Sequence, residues 1–429
     1  MYIRIYLLEF RVYILISGCI FFTFPALIIV NPTVLAVDRK AMFSMSGING
    51  SVIFSQTAAG KPTTIRVDLD GINETLSWAI HEIPMIYNGN AAFTCNPDAV
   101  GDVYNPLEKM TGCSQSQKVN CAYGDLEGKF GSLNVSSKSS SFIDSNLPLT
   151  GYYSISGRTL VLSNGDKPKA CALITVLSAK MSTAVAVLKG PIAGTIYLRQ
   201  EAMNEDTSVF VKLFFVSNAT TNVTYGWRIT SKKVGDDFSI SERCQNAGQT
   251  FNPKSVQKSE CTTINQQECA VGDLTQKHKN ISVGSASIPS FQAAFTDTNL
   301  QLAGNDSVIG RSLVIYNLNN QAEAIACADI KIIKPRQAVA VFKAETDDSV
   351  EGNFTFIQDS PFDITTTIVN LKGLAGKAEG YHVHNYMNPI YNKVNGSEAC
   401  SNNIAGGHWN PFDIVASRSP PAGTGTVHI

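Results

Sequence analysis

One spaced pattern recurs along this chain, and recurrence at that length restricts it to tandem copies of a single domain. Tyr104-Asn105-Pro106, Phe251-Asn252-Pro253 and Trp409-Asn410-Pro411 stand 147 and 158 residues apart, and each follows a cysteine closely: Cys95, Cys244 and Cys400. Cys113 and Cys121 precede Gly124-Asp125-Leu126, and Cys261 and Cys269 precede Gly272-Asp273-Leu274. Gly157-Arg158-Thr159-Leu160-Val161 leads to Ala170-Cys171, and Gly310-Arg311-Ser312-Leu313-Val314 leads to Ala326-Cys327. Two full units and part of a third are present.

Inside each unit, short stretches with period-2 alternation are separated by Gly-, Asn- and Asp-rich turns, as at 51–55, 64–68, 208–213 and 353–357. After the N-terminal leader no window of about 12 residues keeps an apolar period of 3.6. Such units are expected to be all-β and to close as sandwiches or barrels, which hides their strand edges. The repeat sets the expected domains at 43–178, 182–334 and 338–429. The cysteines pair most simply within units: Cys95 with Cys171, Cys113 with Cys121, Cys244 with Cys327 and Cys261 with Cys269. Cys400 is left over, and analogy puts its partner beyond Ile429.

Residues 1–36 read as a signal peptide: Arg4 and Arg11, an apolar run from Val12 to Val30, then Val34-Leu35-Ala36 as a small-residue cleavage site. An uncleaved anchor is the alternative, because the run is just long enough to span a bilayer. Either way the remainder faces outward and is expected to be secreted, with no membrane association once the leader is gone. Nine Asn-X-Ser/Thr acceptors fit that route: Asn49, Asn73, Asn134, Asn218, Asn222, Asn280, Asn305, Asn353 and Asn395. Beyond Cys19 in the leader, the nine cysteines suit an oxidising compartment. A formal charge of -1 gives no electrostatic reason for nucleic acid to be a partner.

Four of only six histidines lie after residue 381: His382, His384, His408 and His428. In His382-Val383-His384, residues i and i+2 project from the same face of a strand. A loop imidazole from Gly407-His408-Trp409-Asn410-Pro411 can supply a third donor. Three imidazoles without thiolate or carboxylate suit copper or zinc, and composition alone does not choose between them. His278, between Lys277 and Lys279, is expected in solvent. His428 reads as a solvated terminal residue.

These landmarks together resemble the copper-zinc superoxide dismutase fold, an eight-stranded Greek-key β-barrel, and most closely the copper-only superoxide dismutase repeat proteins. Gly380-Tyr381-His382-Val383-His384 is similar to the strand that supplies the first two copper ligands, and Gly407 to Pro411 to the motif of the third. The resemblance implies tandem barrels with one copper site at His382, His384 and His408, and a Cys95–Cys171 bond matching the family's intrasubunit disulfide. The matching ligand positions are Ala79, His81, Val103 and Ser163 in the first unit, and Arg228, Thr230, Thr250 and Tyr316 in the second, so neither is expected to hold copper.

In the third unit the chain stops before the strand that carries the family's fourth copper histidine, so the unit reads as C-terminally incomplete. The family's anion-steering arginine is replaced by Pro168 and Ala324. Zinc is not expected: Asp125 and Asp273 keep the zinc-type aspartate without its partners, and Ala416 and Gly425 stand where histidines would. Arg158 and Arg311 read as fold contacts, and Trp78 and Trp227 as packing residues at the position of Tyr381. The resemblance implies superoxide disproportionation at the third unit, with superoxide or copper ions as the small partners. A non-catalytic extracellular copper carrier, or a structural glycoprotein of degenerate barrels, are the alternatives. Oligomeric state is not legible.

Overall fold

In a computed structural model of the chain, the described residues are 36–409 apart from 87–90, 111–112, 136–138, 177–180, 216–222, 236–243, 258–259, 284–290, 322, 344–349, 375–380 and 388–399. The leader through Leu35, with Cys19, lies outside the described residues, as do Asn218, Asn222, Asn395 and everything from Asn410 through His428. No helix among the described residues is long and apolar enough to cross a membrane.

The chain is nearly all β, in three successive antiparallel sheets. The first contains β1 (Val37–Met45), β2 (Ile48–Gln56), β3 (Thr63–Asp70), β4 (Ser77–His81), β5 (Ser139–Asp144), β6 (Thr159–Asn164) and β7 (Lys167–Val176), in the spatial order β4-β6-β7-β1-β2-β3-β5. The second contains β8 (Ser182–Leu188), β9 (Ile192–Gln200), β10 (Thr207–Phe215), β11 (Val223–Thr230), β12 (Ile281–Val283), β13 (Phe291–Asp297), β14 (Ser312–Asn317) and β15 (Ala324–Ile332). Their order is β12-β11-β14-β15-β8-β9-β10-β13, which repeats the first with one short strand added. The third has β16 (Arg336–Phe342), β17 (Glu351–Gln358) and β18 (Thr366–Lys372), matching β1-β2-β3 and β8-β9-β10.

One glycine fixes the common register. Gly50, Gly194 and Gly352 occupy the same step of the second strand in each sheet, at φ of +122°, +139° and +129°. A side chain there would put its Cβ 2.0–2.2 Å from a carbonyl oxygen of the neighbouring strand, so only glycine fits. That alignment makes Ala184-Val185-Ala186-Val187-Leu188 the counterpart of Ala338-Val339-Ala340-Val341-Phe342.

The first two sheets wrap around separate apolar cores. Trp78, Phe43, Phe54 and Leu160 are among the fully buried residues of the first, and Trp227, Leu198, Leu213 and Ile315 of the second. The four within-unit disulfides form, and they span 76, 8, 83 and 8 residues. Phe362, after β17, joins the first core and stacks edge-on to Phe210 and Tyr197, while Arg199 binds Asp363 at 2.5 Å.

His278 departs from the expectation of exposure. It is 2% exposed, and its Nε2 lies 2.9 Å from Asp297, which also binds Lys277 Nζ at 2.6 Å. The first barrel has the simpler arrangement, with Lys129 on Asp144 at 2.8 Å and Phe130 where His278 would be. The physical reason is position. The cationic sequence 277–279 starts on the inner face of a helical turn, and a buried carboxylate receives both Lys277 and His278.

Candidate metal centre

The site is built by the same two backbone bonds in every unit. Tyr104 N donates to Ile80 O, Phe251 N to Ile229 O and Trp409 N to Val383 O, at 2.8, 2.9 and 2.8 Å. Glu82 N, Ser231 N and Asn385 N donate in turn to Asp102, Gln249 and Gly407 carbonyls. These bonds lay the loop against the strand, so His81 faces Val103, Thr230 faces Thr250 and His384 faces His408 as isolated β-bridges. The Asn of the first two Asn-Pro motifs has a local role: Asn105 and Asn252 each close a loop by accepting from a backbone N–H four residues on and donating to that residue's carbonyl.

In the third unit this frame gathers three imidazoles. Ring centroids are 4.9 Å apart for His382 and His384, 3.7 Å for His382 and His408, and 5.3 Å for His384 and His408. One nitrogen from each ring lies within 4.8 Å of the others. Metal–nitrogen bonds near 2 Å need the donors no more than about 4 Å apart, so side-chain adjustments of about 1 Å complete the contact. His384 Nδ1 is 2.7 Å from Gly406 O. A carbonyl only accepts, so Nδ1 carries the proton and Nε2 is left as the donor atom for a metal. His382 titrates below the usual histidine range, through partial burial first and then the neighbouring imidazoles of His408 and His384. The donor set, all neutral nitrogen, fits copper.

The other two units keep the frame and lose the donors. In the first, His81 makes the same bond from Nδ1 to Gly101 O at 2.7 Å. Ala79, Val103 and Ser163 leave a cleft of about 350 Å³ around it. In the second, the Arg228 guanidinium lies 4.7 Å from the centroid of the Tyr316 ring, so two ligand positions pack on each other and fill the site. Gly226 makes room for that ring: a Cβ there would fall 2.3 Å from Tyr316.

Each remaining landmark has a packing role. Arg158 lies 3.6 Å over Tyr104 and donates to Ser154 and Glu82 carbonyls, and Arg311 lies 3.5 Å over Phe251 and donates to Ser307 and Ser231 carbonyls. Hence Gly-Arg and the aromatic of aromatic-Asn-Pro occur together. Asp125 and Asp273 accept from Gly128 N and Gln276 N as helix caps. The indoles of Trp78 and Trp227 donate to Gly131 and Lys279 carbonyls. Of the acceptor asparagines, Asn73, Asn134, Asn280 and Asn305 are exposed, while Asn49 and Asn353 are half-buried within strands.

The family model of copper/zinc superoxide dismutase matches residues 48–174 and again 192–332. The chain belongs to the copper/zinc superoxide dismutase family. Its two matched regions are tandem dismutase-type barrels. Among solved structures, a single-residue variant of Candida albicans superoxide dismutase 5 is 23% identical with a TM-score of 0.29, over 37% of this chain and 93% of that one. The Cu(II) form of the same enzyme is 25% identical at a TM-score of 0.29, over 34% of this chain and 95% of that one.

What sequence reasoning missed is the pair Arg228 and Tyr316 as a filler. The signal was available: both stand at ligand positions, and a cation beside an aromatic is a stacking pair.

Proposed function

We propose that this chain is a secreted copper-binding protein of superoxide dismutase type, with its single copper site at His382, His384 and His408. The observation that carries the reading is the convergence of three neutral imidazoles, one of them fixed in tautomer by Gly406. Copper bound there supplies one-electron exchange with superoxide. The residues' own tasks are to offer three nitrogen donors, to hold His384 through its backbone bond and to leave the ion open to solvent, since His382 and His408 are exposed and His384 is half-buried. Zinc is not part of the reading, because the zinc-type aspartates Asp125 and Asp273 stand in units without the histidine partners such a site needs. Secretion rests on the leader, the glycosylation acceptors and four disulfides of the kind oxidising compartments preserve.

The openness of the site favours a second reading, in which copper is carried and exchanged without turnover. Protein expressed through a secretory route and analysed for metal and superoxide consumption separates the two. One copper per chain with fast consumption supports the dismutase, and copper without consumption supports the carrier. The double variant His382→Ala/His384→Ala should lose the ion, and copper retained by it would place the site elsewhere.

A further inference from the structure

The first two barrels treat their lost ligand positions differently. In the second, two of those positions fill the space with their own side chains. In the first, Ala79, His81, Val103 and Ser163 line a cleft of about 350 Å³, within the range of small-molecule sites.

The second barrel shows which chemistry this place accepts. Arg228, the counterpart of Ala79, sets its guanidinium 4.7 Å from the centre of the Tyr316 ring and donates from Nη2 to Gln321 O, in the turn between β14 and β15. Tyr316 meets the Thr275 hydroxyl at 3.2 Å. A planar cation thus occupies the position as a covalently attached guest. Each of its surroundings has a counterpart on the first unit's cleft. Ser163 stands for Tyr316, and Asp166 lies in the turn that matches the turn of Gln321. Glu127 stands for Thr275, since Asp125-Leu126-Glu127 aligns with Asp273-Leu274-Thr275. Relative to the second barrel, the guest is missing at Ala79 and a neutral hydroxyl is replaced by a carboxylate.

Charge points the same way. Asp125, Glu127 and Asp166 line the cleft, and no lysine or arginine does. Pro168 lines it at the position of the family's anion-steering arginine. A cleft walled by one sign of charge concentrates the opposite ion. His81 adds a hydrogen-bond acceptor: Nδ1 donates to Gly101 O, so Nε2 carries the lone pair. Burial holds this ring below the usual histidine range, opposed by the Gly101 bond and by Asp102. A metal ion needs more donors than one imidazole. Among the described residues, the one group of three ligand-type side chains is that of the third unit.

We propose that the first unit's cleft binds a small organic monocation with a planar charged head, an amidinium or guanidinium on a compact apolar body. Glu127 and Asp166 balance its charge, His81 accepts an N–H, and Ala79, Val103 and Val161 take its apolar part. The free ligand does in the first barrel what Arg228 does in the second. The inference is independent of copper in the third unit.

The test uses the full chain, metal-free, with benzamidine as the probe and benzoate as its anionic isostere. Titration calorimetry should show one benzamidine site with a dissociation constant of about 1 mM or tighter, weakened by added salt, and no benzoate binding. Ala79→Arg installs the second barrel's own cation and should abolish binding. Glu127→Gln and Asp166→Asn change exposed side chains and should each weaken binding about threefold, the scale of an exposed ion pair. The double variant His382→Ala/His384→Ala should bind as the parent chain does. The proposal fails if the parent chain takes up no benzamidine, if benzoate binds as well, or if binding survives Ala79→Arg. It fails equally if neither carboxylate change weakens binding, a readout that holds even where Ala79→Arg does not fold. Zn(II) that expels the probe from the His382→Ala/His384→Ala chain would make the cleft a residual metal site and would also overturn it.

Discussion

Asp297→Asn should be the most damaging single change in the second barrel's polar core. Asp297 is fully buried, and Lys277 and His278 are 0% and 2% exposed, with contacts to the carboxylate of 2.6 and 2.9 Å. Burial alone would raise the Asp297 carboxyl, but Lys277 and His278 beside it hold it well below the usual carboxylate range. Asparagine removes the charge and leaves the Lys277 ammonium with neutral acceptors, Val271 O, Asn299 Oδ1 and the new amide oxygen. Breaking a buried pair in this way costs about 3–5 kcal/mol. His278→Phe should cost less than about 1 kcal/mol. Its Nδ1 is buried without a partner, and the first barrel works with Phe130 at that position.

Burial depresses His278, with Asp297 opposing. The unfolded chain therefore binds the proton more readily, and the His278 contribution is intact above about pH 6.5 and lost as pH falls below it, by up to ~1.4 kcal/mol per pH unit. The Asp297 contribution is present above about pH 4 and fades below. Urea unfolding from pH 7.5 to 3, followed through Trp227, whose ring lies 5.9 Å from His278, covers both windows. Equal damage from the two substitutions, or an unchanged pH slope in His278→Phe, would refute the reasoning.

Three further outcomes are expected. Gly226→Ala should destabilise the second barrel by a few kcal/mol, about the scale of overpacking, and Tyr316→Ala in the same chain should relieve it; additive costs in a double-mutant cycle would deny the contact. Replacing Cys95 and Cys171 by Ser should lower first-barrel stability by roughly 4 kcal/mol in denaturant titration, since the bond closes a long loop. Arg158→Lys should cost about 1–3 kcal/mol through loss of the stack on Tyr104 and of directed bonds to Glu82 and Ser154 carbonyls, while Arg311→Lys should do the same in the second barrel.

The sequence by itself determined the tandem all-β plan, the within-unit cysteine pairing and the three imidazoles, because each depends on spacing along a strand or on a repeated landmark. Alternation of period 2 forces His382 and His384 to one face, and the loop's return follows from the repeated Asn-Pro motif. Tertiary structure alone decided what depends on facing surfaces. It put His278 inside, where the neighbouring lysines gave no hint although Phe130 at the matching place did. It set Arg228 on Tyr316 as the plug of a lost site, and it gave Arg158 and Arg311 aromatic rings to cover. It also buried the two alanines of one Ala-Val-Ala-Val run and left those of its twin exposed. The local sequence is the same in both, so burial there is set by the strands that arrive from elsewhere, and no local pattern encodes that arrival.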